Sequence, residues 1–130
     1  GGTYGGNPVA CAQALTVIDL FQKGDFLKRA KTLGETLHKR MQSWKERYSI
    51  IGDGRGLGPM RAMELVQERA KKTPHPDATK ALTAFCAKNG VLMLSAGNYA
   101  NVVRFLIPLC LSDAELDEGL AIVEKGLQTL

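Results

Sequence analysis

The sequence predicts an α/β fold, specifically an α+β two-layer sandwich in which a small, mostly antiparallel sheet is covered on one face by helices. Three observations predict it. Apolar residues recur at three- and four-residue steps in segments near both ends, and a glycine-punctuated middle alternates with period two. Ser112-x-x-Glu115 is a capping box ahead of the last apolar stripe. The resulting order is helix, helix, strand, strand, helix, strand, strand, helix. With 130 residues, 45% of them hydrophobic and 23% charged, the chain is a single domain's worth of ordinary globular sequence. It contains no internal repeat.

The chain opens on Gly1 Gly2 Thr3 Tyr4 Gly5 Gly6 Asn7 Pro8, with four glycines in six positions. Such a loop accepts positive φ and close approach of a ligand, Asn7 is a natural N-cap, and Pro8 suits a first helical position. Free amides ahead of a helix N-terminus are fit to hold an anion such as phosphate. The pattern is neither a P-loop nor a dinucleotide fingerprint. Local chemistry leaves two readings open, a phosphate contact and a plain junction from loop to helix. The helix should span 8–22, with Ala10, Cys11, Ala14, Leu15, Val17, Ile18 and Phe21 forming a face wide enough to be buried against more than one neighbour.

Lys23-Gly24 ends that helix, and Asp25 can cap a second one. Its stripe, Phe26, Ala30, Leu33, Leu37, Met41, Trp44 and Tyr48, is the cleanest in the sequence and reads as a core face. Residues 50–58 carry too many glycines for a helix, each costing about 1 kcal/mol relative to Ala. They predict a strand and turn in a bulged hairpin with a strand over 60–66, where Arg61, Met63 and Leu65 oppose Met60, Ala62 and Glu64. After a polar loop over 67–76, Asp77 can cap a helix carrying Leu82, Phe85 and Cys86, closed by Asn89-Gly90. Residues 91–94 should form a short buried strand, 95–101 a loop, and 102–107 a strand ended by Pro108. The last helix presents Leu116, Leu120, Val123, Leu127 and Leu130 to the core.

The net charge of +4 is spread over helix faces without a basic run or interleaved aromatics, which argues against nucleic-acid binding. No apolar segment approaches the roughly 18 residues of a membrane span, and the N-terminus lacks signal-peptide character. These features predict a cytoplasmic location without membrane contact. Cys11, Cys86 and Cys110 are odd in number and sit in apolar segments, so they read as buried free thiols rather than a disulfide or a metal site. The start inside a glycine loop, without Met or a preceding strand, reads as a fragment.

Arg104 breaks the binary pattern. It stands between Val103 and Phe105 in the most apolar strand, with no acidic residue within seven positions on either side. A guanidinium stays charged, and leaving it dry and unpaired would cost several kcal/mol, so it must face solvent, a protein carboxylate or a ligand anion. Its planar fork matches a carboxylate. Carboxylate binding, a salt bridge to a distant residue and an edge position at the solvent all remain open from the residues alone.

Gly1-Gly2-Thr3-Tyr4-Gly5-Gly6-Asn7-Pro8-Val9-Ala10-Cys11-Ala12 resembles the segment that follows the Schiff-base lysine in class III (omega) aminotransferases. Gly54-Arg55-Gly56-Leu57-Gly58, Tyr99-x-Asn101-Val102-Val103-Arg104-Phe105-Leu106-Ile107-Pro108 and Ser112-Asp113-x-Glu115-Leu116 match the same family in order and spacing, most like its 4-aminobutyrate members. The resemblance implies fold type I, with residues 1–7 a loop from the large domain and 8–130 the small C-terminal domain. It further implies a homodimer using pyridoxal phosphate to move an amino group from an omega-amino acid such as 4-aminobutyrate to 2-oxoglutarate. Thr3, lined by Gly2 and Tyr4, would contact the phosphate of the partner subunit's cofactor, and Arg104 would clamp the substrate's α-carboxylate. The Schiff-base lysine would lie upstream, so no catalytic residue is expected in this chain and the piece alone should be inactive. The competing expectation is a stand-alone α/β module that binds a metabolite anion or dimerises without catalysis.

Overall fold

A computed structural model describes residues 2–130. The elements in chain order are α1 (Pro8–Lys23), α2 (Phe26–Arg47), β1 (Ile51–Leu57), β2 (Met60–Leu65), α3 (Pro76–Lys88), β3 (Leu94–Ala96), β4 (Val102–Leu106) and α4 (Asp113–Leu127). The four strands form one sheet in the order β1-β2-β4-β3, and every neighbouring pair is antiparallel. The expected α/β sandwich is therefore the observed one.

The helices cover one face of this sheet. Leu33, Leu37, Met41 and Trp44 of α2 are buried against Ile51, Met63 and Leu65, while Leu82 and Cys86 of α3 and Leu116, Leu120, Val123 and Leu127 of α4 close the core around Val103 and Phe105. Burying such side chains is worth about 1.5–3 kcal/mol each, so this one-sided layer carries the stability. Helix α2 lies hard against the hairpin turn. A Cβ on Gly34 would collide with the backbone of Gly58, which itself takes φ 52° in the turn. Arg61 Nε donates to the Gly34 carbonyl at 3.1 Å and pins the same contact from the strand side. Arg69 donates to the Ile51 carbonyl at 3.0 Å and to the Tyr48 carbonyl at 2.8 Å, answering an acceptor left over where α2 ends.

Several local expectations hold. Asn7 Oδ1 accepts from Val9 N at 3.0 Å and Ala10 N at 3.3 Å, the Ser112–Glu115 capping box is complete, and the register of β1 against β2 shifts between Ile51 and Asp53 as a bulged hairpin requires. Others need correction. Asp25 occupies the N-cap position of α2 but makes no side-chain cap bond. The cap of α3 is His75 rather than Asp77, because Pro76 fits the first helical turn and Asp77 falls inside it. Residues 91–93 form no strand; β3 begins at Leu94 and includes Ser95 and Ala96, and Leu92 is 91% exposed. The Asn89-Gly90 terminus of α3, with Gly90 at φ 89°, releases the chain beside the sheet, so only its last part reaches β4.

Helix α1 has its expected boundaries to within a residue, but none of its residues is buried within the chain. Its broad apolar face, including Leu15, Val17 and Ile18, is exposed, whereas the sequence predicts it packed between neighbours. Cys11 lies on this helix and is exposed for that reason; Cys110, in the turn after Pro108, is exposed too. Only Cys86 is a buried free thiol, and burial pushes its pKa up.

The buried indole N–H of Trp44 has no hydrogen-bond partner of good geometry, yet it lies near the Glu124 carboxylate. That N–H, followed by Arg47 and Arg40, holds the Glu124 carboxyl below the usual carboxylate range against the opposing effect of burial. Its side chain is 16% exposed and pairs with both arginines. Because the folded pKa is depressed, the stability that Glu124 contributes is complete above its ordinary value of 4.5 and is lost as pH falls through the lower folded value. Glu124→Gln should therefore cost about 1 kcal/mol at neutral pH, and the deficit should be smaller at a pH well below 4.5. Urea unfolding of both proteins at the two pH values checks this, and a deficit that persists in acid would point to lost packing instead.

Candidate functional site

Antiparallel register and strand parity decide where Arg104 points. Its neighbours Val103 and Phe105 face the helices, so Arg104 stands on the opposite face of β4, and it is exposed. Directly across the strands, the row on that open face reads Arg55, Ala62, Arg104, Leu94. The adjacent row contains Asp53, Glu64, Val102 and Ala96. Neutral Ala62 and Leu94 flank Arg104, and among the described residues its guanidinium makes no hydrogen bond or ion pair.

The carboxylates of this face are already engaged. Arg55 Nη1 donates to Asp53 Oδ2 at 3.0 Å and to Glu64 Oε2 at 2.9 Å. The other Glu64 oxygen accepts from Asn101 Nδ2 at 3.3 Å, and the same amide donates to the Leu65 carbonyl at 3.0 Å. Asn101 is buried, and its own carbonyl accepts from Leu65 N at 2.7 Å, so it ties the entry of β4 to the end of β2. Burial pushes the Asp53 carboxyl up, but the Arg55 hydrogen bond, the Gly54 amide and the charge of Lys45 outweigh it, and the group lies below the usual carboxylate range. The carboxylates on Asp53, and then Glu64, raise the Arg55 pKa further.

Arg104 is also among the residues lining a groove of ≈ 160 Å³, but its other walls include Phe105, Leu116, Leu120 and Val123 on the helix-covered side, so the apolar neighbours on the open face itself are the exposed Leu94 and Leu106. Apolar walls lower the local dielectric beside a cation and strengthen its attraction for an anion. Among the described residues Arg104 is thus a solvent-facing guanidinium without a carboxylate partner, and it stands on an inner strand of the sheet rather than at the edge position the sequence allowed.

The opening loop lies elsewhere. Gly2, Thr3 and Tyr4 are exposed and precede α1, which touches α2 near their junction, with the Phe21 and Phe26 ring centroids 5.7 Å apart. A turn closes through Gly5 N to the Gly2 carbonyl at 3.1 Å and Asn7 N to the Tyr4 carbonyl at 3.2 Å. Because Asn7 already takes the Val9 and Ala10 amides, the helix start has few donors left for an anion. The Thr3 hydroxyl makes no hydrogen bond among the described residues and remains available. A Cβ at Gly2 would meet nothing within 4 Å, so its neighbourhood is open. Gly1 lies outside the described residues. No hydrogen bond or ion pair within the described residues joins this loop to Arg104.

The network of Arg55, Asp53, Glu64 and Asn101 was not singled out by sequence reasoning as part of any site. Its signal was the alternation of Asp53 with Arg55 and of Ala62 with Glu64, which places all four on one face once the hairpin register is known. Among the described residues, no group of three or more His, Cys, Asp or Glu is placed to hold a metal ion, and no helix is long and apolar enough to cross a membrane.

A small antiparallel sheet with helices on one face is a fold this chain shares with solved transaminases. The family model for class III aminotransferases matches residues 1–127, and the chain belongs to that family. A 5-aminovalerate aminotransferase of Pseudomonas putida is 46% identical over 125 residues, covering 96% of this chain and 29% of that protein. A probable 4-aminobutyrate aminotransferase of Bacillus subtilis is 40% identical over 128 residues, 98% of this chain and 29% of that protein. The crystal structure of an amine transaminase from an uncultivated Pseudomonas species, in its PLP-bound form, superposes with a TM-score of 0.87 at 29% identity over 99% of this chain and 29% of that one. The chain thus spans under a third of the length of the relatives it matches.

Proposed function

We propose that this chain is the small C-terminal domain, with its entering loop at residues 1–7, of a pyridoxal phosphate-dependent omega-aminotransferase that transfers an amino group from 4-aminobutyrate or a related omega-amino acid to 2-oxoglutarate. The observation that carries the reading is Arg104, a guanidinium without a protein carboxylate, on the open face of the sheet in a family of aminotransferases. The relatives' names, 5-aminovalerate and 4-aminobutyrate aminotransferase, support the donor class.

In this reading Arg104 takes the α-carboxylate of 2-oxoglutarate or glutamate through two parallel hydrogen bonds and fixes which end of the acid approaches the reacting centre. The exposed Leu94 and Leu106 beside it suit the methylene chain between the acid's polar ends. Thr3 donates its hydroxyl to a cofactor phosphate, and the open space at Gly2 lets that phosphate come close. These residues fit such a group as one contact among several, since Asn7 has used the nearest helix amides. Pyridoxal phosphate, when bound, would act as the electron sink for the carbon that exchanges its amino group.

The bare α1 face favours this reading over a stand-alone module. A 16-residue helix with no buried residue and an exposed apolar side is poorly supported by the chain alone. More polypeptide, from the large domain and from the second subunit of a homodimer, would cover it and would bring the Thr3 loop to a cofactor in the neighbouring subunit. The Schiff-base lysine belongs to that additional polypeptide.

Two outcomes are expected in the full-length protein. Arg104→Ala should lower kcat/KM for 2-oxoglutarate about a hundredfold, the loss expected for a charged pair with two hydrogen bonds, while the affinity for cofactor stays unchanged. Steady-state kinetics together with cofactor titration decides it, and equal activity of the variant would remove the carboxylate assignment. Thr3→Ala should weaken retention of pyridoxal phosphate about tenfold or more, the size of a hydrogen bond to a charged acceptor. Absorbance after exhaustive dialysis reads this directly, without reference to turnover.

A further inference from the structure

The chain enters β4 through an abrupt turn. Gly97 takes φ 84° and Ala100 φ 52°, and Ala100 N closes the turn by donating to the Gly97 carbonyl at 3.1 Å. A Cβ on Gly97 would stand 2.9 Å from Val102 Cγ2, so the turn is packed directly on the first residue of the strand. It carries the main chain away from β2 just where the ladder needs one more rung. Leu65 N still donates to the Asn101 carbonyl at 2.7 Å, but the return bond, which an antiparallel pair draws from a main-chain amide, comes from the side chain: Asn101 Nδ2 donates to the Leu65 carbonyl at 3.0 Å. The same Nδ2 reaches Glu64 Oε1 at 3.3 Å. Asn101 is 2% exposed, so these bonds are settled inside the chain. Both groups facing Nδ2 are acceptors, and an aspartate of the same shape would set an oxygen against each.

Little else stops β4 from shifting along its own axis. Burial of Val103 and Phe105 decides which side faces the helices, but apolar contact is non-directional, and position along the sheet is set by hydrogen bonds. The strand is five residues long, β3 pairs with only its first three, and Pro108 follows two residues after its end. The Asn101–Leu65 rung is the outermost of the β2–β4 ladder at the entry of the strand, three residues, or about 10 Å, before Arg104. We propose that Asn101 is a positioning residue for the substrate acid: its carboxamide closes the ladder at the entry of β4 and so fixes Arg104 opposite Ala62, at the height where its fork meets the α-carboxylate. The proposal rests on the reading of Arg104 as the residue that takes that carboxylate, and it is independent of what else touches the guanidinium in the full-length protein. The Leu65 carbonyl also accepts from His75 N at 3.1 Å, and Glu64 also accepts from Arg55 at 2.9 Å. Removing the Asn101 amide therefore leaves neither residue without a donor, and it loosens the entry of the strand without unfolding the domain.

The test uses the full-length, cofactor-loaded enzyme. Amino-group transfer runs in two half-reactions, and kcat/KM for each substrate reports its own half. In Asn101→Ala, kcat/KM for 2-oxoglutarate should fall about tenfold, less than the roughly hundredfold loss that a 1 Å misplacement can cause, while kcat/KM for the omega-amino donor stays within about twofold of the parent. Glutarate, a dicarboxylate without a reacting carbonyl, should bind about tenfold more weakly by calorimetry. A merely structural Asn101 would lower the amount of folded enzyme and scale both kcat/KM values alike. An equal loss in the two halves therefore overturns the proposal, as does a loss confined to the donor, no loss at all, or an unchanged affinity for glutarate. Asn101→Ser keeps a hydroxyl that can donate to one acceptor. Should Asn101→Ala fail to fold, Asn101→Ser decides: a fall of about threefold or more confined to 2-oxoglutarate supports the assignment, and a smaller or evenly shared fall overturns it. Arg104→Ala measured alongside separates the levels. No change there removes the reading of Arg104, whereas a large change there without the split in the Asn101 variants removes this inference alone.

Discussion

The structure depends on β4 being buried on one face only. Five residues alternate between a helix-covered core and an open surface, and that alternation turns Val103 and Phe105 inward and Arg104 outward. A slip of one residue would bury the guanidinium without a partner at a cost of several kcal/mol and expose Phe105. The register is therefore held firmly. Asn101 clamps the start of the strand to Leu65 through both its backbone carbonyl and its side chain, and the neighbouring strand is held by Met63 and Leu65 in the core. Helix α2, resting on the hairpin through Gly34 and Gly58, supplies the surface against which this register is read.

This constraint explains which parts of the fold were legible in the sequence. The stripe of α2, the capping box of α4 and the hairpin bulge are local patterns with local causes, and each appears where its residues require. Arg104 was legible for the opposite reason, as a charge that no core strand can hold on its inward face. The errors arose where tertiary position outweighed composition. Val91 to Leu94 is as apolar as a buried strand, but the turn after Gly90 sets it down beside the sheet, and pairing begins only at Leu94. His75 caps α3 because Pro76 claims the first helical position, a competition that an aspartate one residue later concealed. Cys86 is buried as its sequence neighbourhood predicts, whereas Cys11 and Cys110 are exposed, since an apolar neighbourhood in sequence means burial only if something packs over it.

The site was less legible than the fold. Arg55 was visible as part of a glycine-rich motif, but its role as the partner of Asp53 and Glu64 needs the hairpin register, which no single residue announces. In the other direction, the structure weakens what the opening loop promised by itself. Asn7 spends the first free amides of α1 on its own carboxamide, so the general anion affinity of a helix start gives way to a single hydroxyl at Thr3.

That exchange bears on how the chain could work. Arg104 lies on the side of the sheet away from the helical layer, while Thr3 leads into α1, which touches that layer through α2. Each offers one strong group and lacks the counterparts that a binding pocket needs, since pockets close a ligand on several sides. Both also lie next to apolar side chains left uncovered by the chain: Leu94 and Leu106 beside Arg104, and the face of α1 behind Thr3. Uncovered apolar area next to a solitary polar group is what one half of a shared site looks like before its other half is added. Arg104 and Thr3 thus lie on different sides of the helical layer, so neither can complete the other's surroundings, and each is an incomplete site on its own.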